Sequence, residues 1–214
     1  MAGLVVVGVG PGIGRAVAVR FAKEGLPVAL IARHEATVRA AAAAIAGVPV
    51  VELTADAADE QSLRTALDAA AAELGPPEVV VYNVGVVRAD DPGQLTREEL
   101  LATFSLNVGG LLTTAAHVAP SMRERRSGTI IVTGGMPVVK AAYTSLSIGK
   151  AGVRAAVDAL AEEHGPHGVH VASVTVAGVV APGTAFDPDV IAEHYWRLHT
   201  QPGAAWEREV LHAG

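Results

Sequence analysis

Lys150 stands in an unexpected place. In YTSLSIGKAGVRAAVDAL, residues 143 to 160, it shares a helical stripe with Leu146, Val153, Val157 and Leu160, at steps of four, three, four and three. Those neighbours are apolar, so the stripe should face a core, where an ammonium is costly unless something accepts its hydrogen bonds. The other reading is a lysine at the stripe's margin, snorkelling its charge into water. Burial would also lower its pKa and make it a usable proton donor. A second place for chemistry is GVGPGIGRAVA near the N-terminus, with glycines at Gly8, Gly12 and Gly14. Glycines between a strand and a helix let the backbone close on a pyrophosphate, and the helix N-terminus receives its charge. A P-loop does not fit, because no Lys-Ser/Thr follows the glycines.

Both centres need a scaffold that alternates strand and helix. Apolar runs predict strands over 4–7, 28–32, 48–53, 79–82, 129–133 and 169–176, and a short last one over 209–212. Between them the pattern predicts helices over 12–24, 35–46, 60–74, 97–122 and 147–164, and a final helix with its exit in DPDVIAEHYWRLHTQPGAAW. Thr96 with Glu99 three residues on reads as a capping box, and Gly165-Pro166 as a helix stop. Apolar strands alternating with helices mean a parallel sheet covered on both faces, here a doubly wound α/β domain over 1–214.

The bulk composition narrows the function. The chain has 214 residues, half of them hydrophobic, no cysteine and a formal net charge of −6. Disulfides, thiolate metal sites and cysteine nucleophiles are therefore excluded, and a nucleic acid is not an expected partner. MAGLVVVGVG lacks a basic leader and a cleavage site, and the charge-free stretch 171–186 is too short and too broken to span a bilayer. A cytoplasmic protein with no membrane contact is expected. HGPHGVH sets His164, His167 and His170 three apart, but a Gly-Pro turn splits them and no acidic ligand intervenes. A solvent-facing turn is expected there, with no metal. His194, Tyr195 and His199 are candidates for a pocket wall.

The spacing Gly-x-x-x-Gly-x-Gly at 8–14 is that of the short-chain dehydrogenase/reductase family, and the chain resembles that family nearly throughout. VYNVG at 81–85 is similar to the Asn-Asn-Ala-Gly motif after the fourth strand, with Tyr82 in place of the first asparagine. Asn107 in FSLNVGG matches the asparagine of the fourth helix, and Lys150 in GKAGV matches the active-site lysine. VTVAGVVAPGT resembles the sixth strand and the segment that closes on the cofactor, with Ala177 where a proline is usual. The resemblance implies a nicotinamide cofactor held by Gly8, Gly12, Ile13, Gly14, Arg33, Asp56, Ala57, Asn83, Gly85, Lys150, Gly178 and Val180. It gives the lysine two tasks, binding the nicotinamide ribose hydroxyls and lowering the pKa of a nearby catalytic hydroxyl. It also implies a homodimer or homotetramer paired through the fourth and fifth helices.

The end of the second strand bears on which cofactor. NAD sites usually carry an acid there for the ribose 2′-hydroxyl. Here Ala32 takes the acidic place and Arg33 follows, as in NADP-preferring relatives. A guanidinium can pair with a 2′-phosphate in two-pronged fashion; the competing reading is a surface arginine paired with Glu35. NADP(H) is expected and NAD(H) remains an option, since the glycine turn holds no second base. Asp56 matches the acidic residue that binds adenine in the family, with a helix-capping role as the alternative.

The chain departs from the family where the proton is handled. The family's catalytic tyrosine lies four residues before the lysine, and that position is Leu146. Its catalytic serine closes the fifth strand, where this chain reads Thr133-Gly134-Gly135. Replacement hydroxyls are Tyr143, Ser147, Ser145 and Thr133, with Lys150 itself as a further donor. Seven residues of helix rise about 10.5 Å, so Tyr143 can serve Lys150 only if the helix begins after it. Little chain separates Pro182-Gly183-Thr184 from the last helix, so an open or shallow substrate pocket is expected. The resemblance implies an oxidoreductase acting on a small carbonyl or alcohol; the rival is a catalytically silent NADP(H) binder, a sensor or partner subunit.

Overall fold

The computed structural model describes residues 3–214. Seven parallel strands form one sheet in the order β3-β2-β1-β4-β5-β6-β7. They are β1 (Leu4–Val7), β2 (Val28–Ala32), β3 (Val50–Thr54), β4 (Val79–Tyr82), β5 (Gly128–Thr133), β6 (Val169–Val176) and β7 (Glu209–His212). The helices are α1 (Ile13–Ala22), α2 (Glu35–Ala42), α3 (Glu60–Leu74), α4 (Arg97–Phe104), α5 (Gly110–Arg125), α6 (Thr144–His164) and α7 (Pro188–His199).

Strand alternation sorts the core into two layers. Leu4 and Val6 of β1 pack with Phe21 of α1 and with Ile191, Tyr195 and Leu198 of α7. Val5 and Val7 face the other way, with Leu63 of α3, Leu111 and Met122 of α5 and Val153 and Val157 of α6. All four residues of β1 are buried, which is why the strand reads as unbroken valine and leucine. From β1 the chain winds outward through β2 and β3, then returns to the other flank of β1 as β4. That reversal opens a crevice above the carboxyl ends of β1 and β4.

Several boundaries differ from the sequence reading, α2 among them, which ends at Ala42 and not at 46. The single helix expected over 97–122 is two α-helices joined by a π-helical turn, Ser105–Gly109. The capping box of Thr96 and Glu99 opens the first of them as expected. The helix carrying Lys150 begins at Thr144, not at 147, with Tyr143 as its non-helical cap. The third strand runs over Val50–Thr54 and not 48–53. The chain passes from β6 to α7 through eleven residues without a further helix.

Candidate active site

The crevice is a cleft of about 570 Å³, lined by the glycine turn, residues 31–34, Ala55, Ala57, residues 83–87, Leu106 and Val180. Gly8 has φ +90°, and a Cβ there would lie 2.6 Å from the main-chain oxygen of Asn83. At Gly14 a Cβ would meet Gly8 O at 2.7 Å and Asn83 Nδ2 at 2.9 Å, so only glycine lets α1 sit this close to the strands. Gly12 is different, because a Cβ there would touch only Val180 at 3.8 Å. Packing does not demand glycine at that point; the bare backbone borders the cleft. Gly12 is also the cap of α1 and offers no side chain to the first helical N–H groups.

Asn83 braces this turn from behind. Its Nδ2 donates to Gly8 O at 2.8 Å, and its Oδ1 accepts from Thr133 Oγ1 at 2.7 Å. Thr133 Oγ1 also lies 2.6 Å from the hydroxyl of Tyr195. Thr133 has given its one proton to Asn83, so Tyr195 must donate to Thr133. The chain of bonds ties α7, β5, β4 and β1 together and fully occupies the Thr133 hydroxyl. Tyr195 is therefore buried structure and not a pocket wall.

Arg33 follows Ala32 at the end of β2, lines the cleft and is exposed. Among the described residues it makes no ion pair, since Glu35 is taken by Arg39 on the next helical turn. Asp56 does not cap α3. It closes a local turn by accepting from Ala58 N at 2.9 Å, and the cap is Asp59, which accepts from Ser62 N. Ala57 lines the cleft directly.

Lys150 is buried and does not snorkel. Its Nζ donates to Thr133 O at 2.7 Å and to Val84 O at 3.2 Å, which leaves one N–H free. Burial pulls its pKa down to about 8. Asn107 comes from the π-turn and is fully buried, with Nδ2 on Thr103 O and, among the described residues, no partner for Oδ1. A Cβ built on Gly85, a residue of the cleft wall, would lie 3.5 Å from Lys150 Nζ and 3.6 Å from Asn107 Oδ1. A free donor and an unused acceptor thus border one small space at the cleft. The π-turn that aims Asn107 is held by Tyr82, whose buried hydroxyl donates to Leu106 O at 2.5 Å. Burial pushes the Tyr82 pKa far up, so it remains a neutral donor. Tyr82 was visible in the sequence only as a deviation from a motif; its bracing task was missed.

The candidate hydroxyls separate. Leu146 is buried one turn before Lys150. Ser147 Oγ lies between the main-chain N and O of Lys140 at 3.2 and 3.3 Å. Ser145 donates from Oγ to Asp90 Oδ2, and its N–H goes to Asp90 Oδ1 at 3.0 Å. The Ser145 hydroxyl and N–H hold the Asp90 carboxyl below its usual range, and the pair pins the 86–95 loop to the start of α6. Tyr143 is half-buried, forms a parallel bridge with Asp90, and its hydroxyl has no partner among the described residues. Beyond β6, a Cβ on Gly178 would strike the ring of Phe186 at 2.3 Å, and Val180 lies over Gly12.

The histidines correct the sequence reading. His164 and His170 are buried, not solvent-facing, and only His167 remains at the turn, 3.0 Å from Arg123. His170 bridges the main-chain oxygens of Leu198 and Glu207, while His199 bonds Thr129, the register partner of His170 on β5. His194 meets His212 at 3.0 Å.

A glycine turn that opens on a cleft, an uncapped helix N-terminus and an orphaned Asn107 oxygen beside a buried ammonium define a dinucleotide-binding α/β protein, and these groups fit such a ligand. The sequence profile described as short chain dehydrogenase matches residues 3–188, and the chain belongs to that family. A short-chain dehydrogenase/reductase of Armillaria gallica is 29% identical over 96% of this chain and 78% of its own. The short-chain reductase protein NovJ of Streptomyces niveus is 32% identical over 83% and 69%. Among solved structures, a short-chain dehydrogenase from Rhodopseudomonas palustris superposes with a TM-score of 0.89 at 28% identity, covering 98% of this chain and 97% of that one. A metagenomic short-chain oxidoreductase in complex with NADP gives 0.86 at 27% identity, over 98% and 96%.

Proposed function

We propose that this protein is an NADP(H)-dependent oxidoreductase acting on a carbonyl or alcohol carbon of a small, apolar molecule. The observation that carries the reading is the placement of Lys150 Nζ and Asn107 Oδ1 beside Gly85 of the cleft wall, two buried polar groups with hydrogen-bonding capacity left over. When bound, the nicotinamide supplies or takes up the hydride. The free N–H of Lys150 holds the ribose hydroxyls, the glycine turn and α1 take the pyrophosphate, and Arg33 pairs with the 2′-phosphate. The chain must then exchange a proton at the carbonyl oxygen.

Leu146 and the segment Thr133-Gly134-Gly135 provide no free hydroxyl where relatives of the usual pattern carry one. Tyr143 is the first choice for that task, because it precedes the helix and its hydroxyl is uncommitted. Ser147 is tied to Lys140, and Thr133 to Asn83 and Tyr195. Lys150, with its pKa at about 8, is the second choice. The apolar substrate follows from Val87, Val138, Val139 and Val179, exposed on the loops after the adjacent strands β4, β5 and β6.

The test is NADPH-dependent reduction of a panel of aliphatic and aromatic ketones by wild type, Tyr143→Phe, Ser147→Ala and Lys150→Ala. Turnover lost in Tyr143→Phe with cofactor affinity kept, and affinity lost in Lys150→Ala, supports both assignments. Full turnover in Tyr143→Phe removes that tyrosine as donor. Turnover that appears only in Leu146→Tyr identifies the natural chain as a silent binder.

A further inference from the structure

The peptide that leaves β5 carries a donor without an acceptor among the described residues. Gly134 still belongs to the sheet, donating to Val174 O at 2.8 Å. The next two residues turn away: Met136 has φ +46°, rare for a residue with a side chain and rarer before a proline, here Pro137. Arg154, one turn beyond Lys150 on α6, holds this conformation. Its NH1 donates to Gly135 O at 3.1 Å and to Met136 O at 3.3 Å. The peptide is trans, so a Gly135 carbonyl turned to Arg154 sends the Met136 N–H to the opposite side. Among the described residues neither the Met136 nor the Gly135 N–H has an acceptor.

The peptide lies beside the buried Lys150. A Cβ on Gly135 would lie 3.8 Å from Lys150 Cγ and 3.9 Å from Cε, so the peptide runs along the lysine stem. We propose that the Met136 main-chain N–H, presented by Arg154, donates the hydrogen bond that polarises the substrate carbonyl, a task for which the segment 133–135 holds no free hydroxyl. Arg154 is a positioning residue for it. A backbone donor fixed in advance stabilises oxygen charge at no reorganisation cost, and the strained φ at Met136 persists because Arg154 holds both carbonyls. The proposal rests on the hydride-transfer reading above.

Two measurements test it. In the first, NADP⁺-bound protein is titrated with acetophenone, a pair that cannot react, and the amide resonances of Gly135 and Met136 are followed by NMR. The Met136 amide proton should move downfield in wild type and stay in place in Arg154→Ala. In the second, ketone reduction is compared in wild type, Arg154→Ala and Arg154→Ala combined with Gly135→Ser. Arg154→Ala should lose about 100-fold in kcat, the cost of removing one such donor, with NADPH affinity unchanged. The added serine, which the spacing to Lys150 admits, should restore much of the loss. A merely structural arginine would not be rescued by a hydroxyl at 135. A still Met136 amide in wild type, an undiminished kcat in Arg154→Ala, or failure of the serine to rescue overturns the proposal. A shifted amide without any ketone reduction by wild type overturns the hydride-transfer reading and leaves the donor assignment standing.

Discussion

Lys150 and Thr133 meet through the backbone: Nζ donates to the Thr133 main-chain oxygen at 2.7 Å, while the Thr133 hydroxyl points to Asn83 and Tyr195. One residue at the end of β5 thus serves both faces of the sheet. Its carbonyl anchors the buried ammonium beside the cleft, and its side chain locks the glycine turn from behind.

Removing that hydroxyl should cost stability. Thr133→Val leaves Asn83 Oδ1 and the Tyr195 hydroxyl without a partner, a loss of about 1–3 kcal/mol. Urea unfolding should show a lower midpoint with an unchanged slope. An unchanged midpoint would mean that the network contributes nothing net.

Lys150 should make stability depend on pH above neutrality. The folded group gives up its proton near pH 8 and the unfolded one near 10.5. Between those values the unfolded chain holds more protons, so this group's contribution becomes more favourable as pH rises, by about 3 kcal/mol across the window. Below pH 8 the penalty of the buried charge is present in full. The unfolding free energy of wild type minus that of Lys150→Met should therefore climb between pH 8 and 10.5. Parallel profiles for the two proteins would contradict a buried, titrating lysine.

Much of this was legible in the sequence, and the parts that were not have physical reasons. Strands β1, β2 and β4 followed from unbroken apolar runs, because a strand covered on both faces has no polar side to blur it. Gly8, Gly14 and Lys150 stood out in the sequence because glycines before a helix and a lysine on an apolar stripe are unusual, and Asn107 through the family resemblance. The break at 105–109 was invisible, since a π-turn changes one hydrogen-bond step without changing the apolar pattern. His164 and His170 were misread as solvent-facing because the turn at Gly165-Pro166 was allowed to speak for its neighbours. His170 is in fact satisfied by two carbonyls from distant parts of the chain, which no local pattern can reveal. Arg154 was missed for the same reason: its partners are backbone atoms, and backbone atoms leave no mark in a sequence.

The outer surface of the helical layer predicts self-association. Leu101 and Phe104 of α4, Leu112 of α5 and Ile148 of α6 are exposed, between 40% and 59%. Pairing through these helices would cover them. Light scattering at micromolar concentration should give at least twice the 21.8 kDa of one chain. Replacing Phe104 and Ile148 by glutamate should then return it to a monomer. A wild-type monomer would refute the pairing.

Arg33 should set the cofactor preference. It lines the cleft without an ion pair among the described residues, and Ala32 offers no carboxylate against a 2′-phosphate. Fluorescence titration should show tighter binding of NADPH than of NADH by wild type, and Arg33→Ala should remove the difference by weakening NADPH alone. Equal affinities in wild type would sink the assignment.

The central claim is that this cleft moves a hydride and does not merely hold a nucleotide. The direct measurement is isotope transfer: NADPH deuterated at nicotinamide C4 is incubated with the protein and an apolar aromatic ketone, and the product is read by mass spectrometry. The account predicts an alcohol carrying one deuterium on the carbinol carbon, formed by wild type and not by Lys150→Ala. Cofactor bound at saturation with no deuterated alcohol, across the ketone panel, would contradict it.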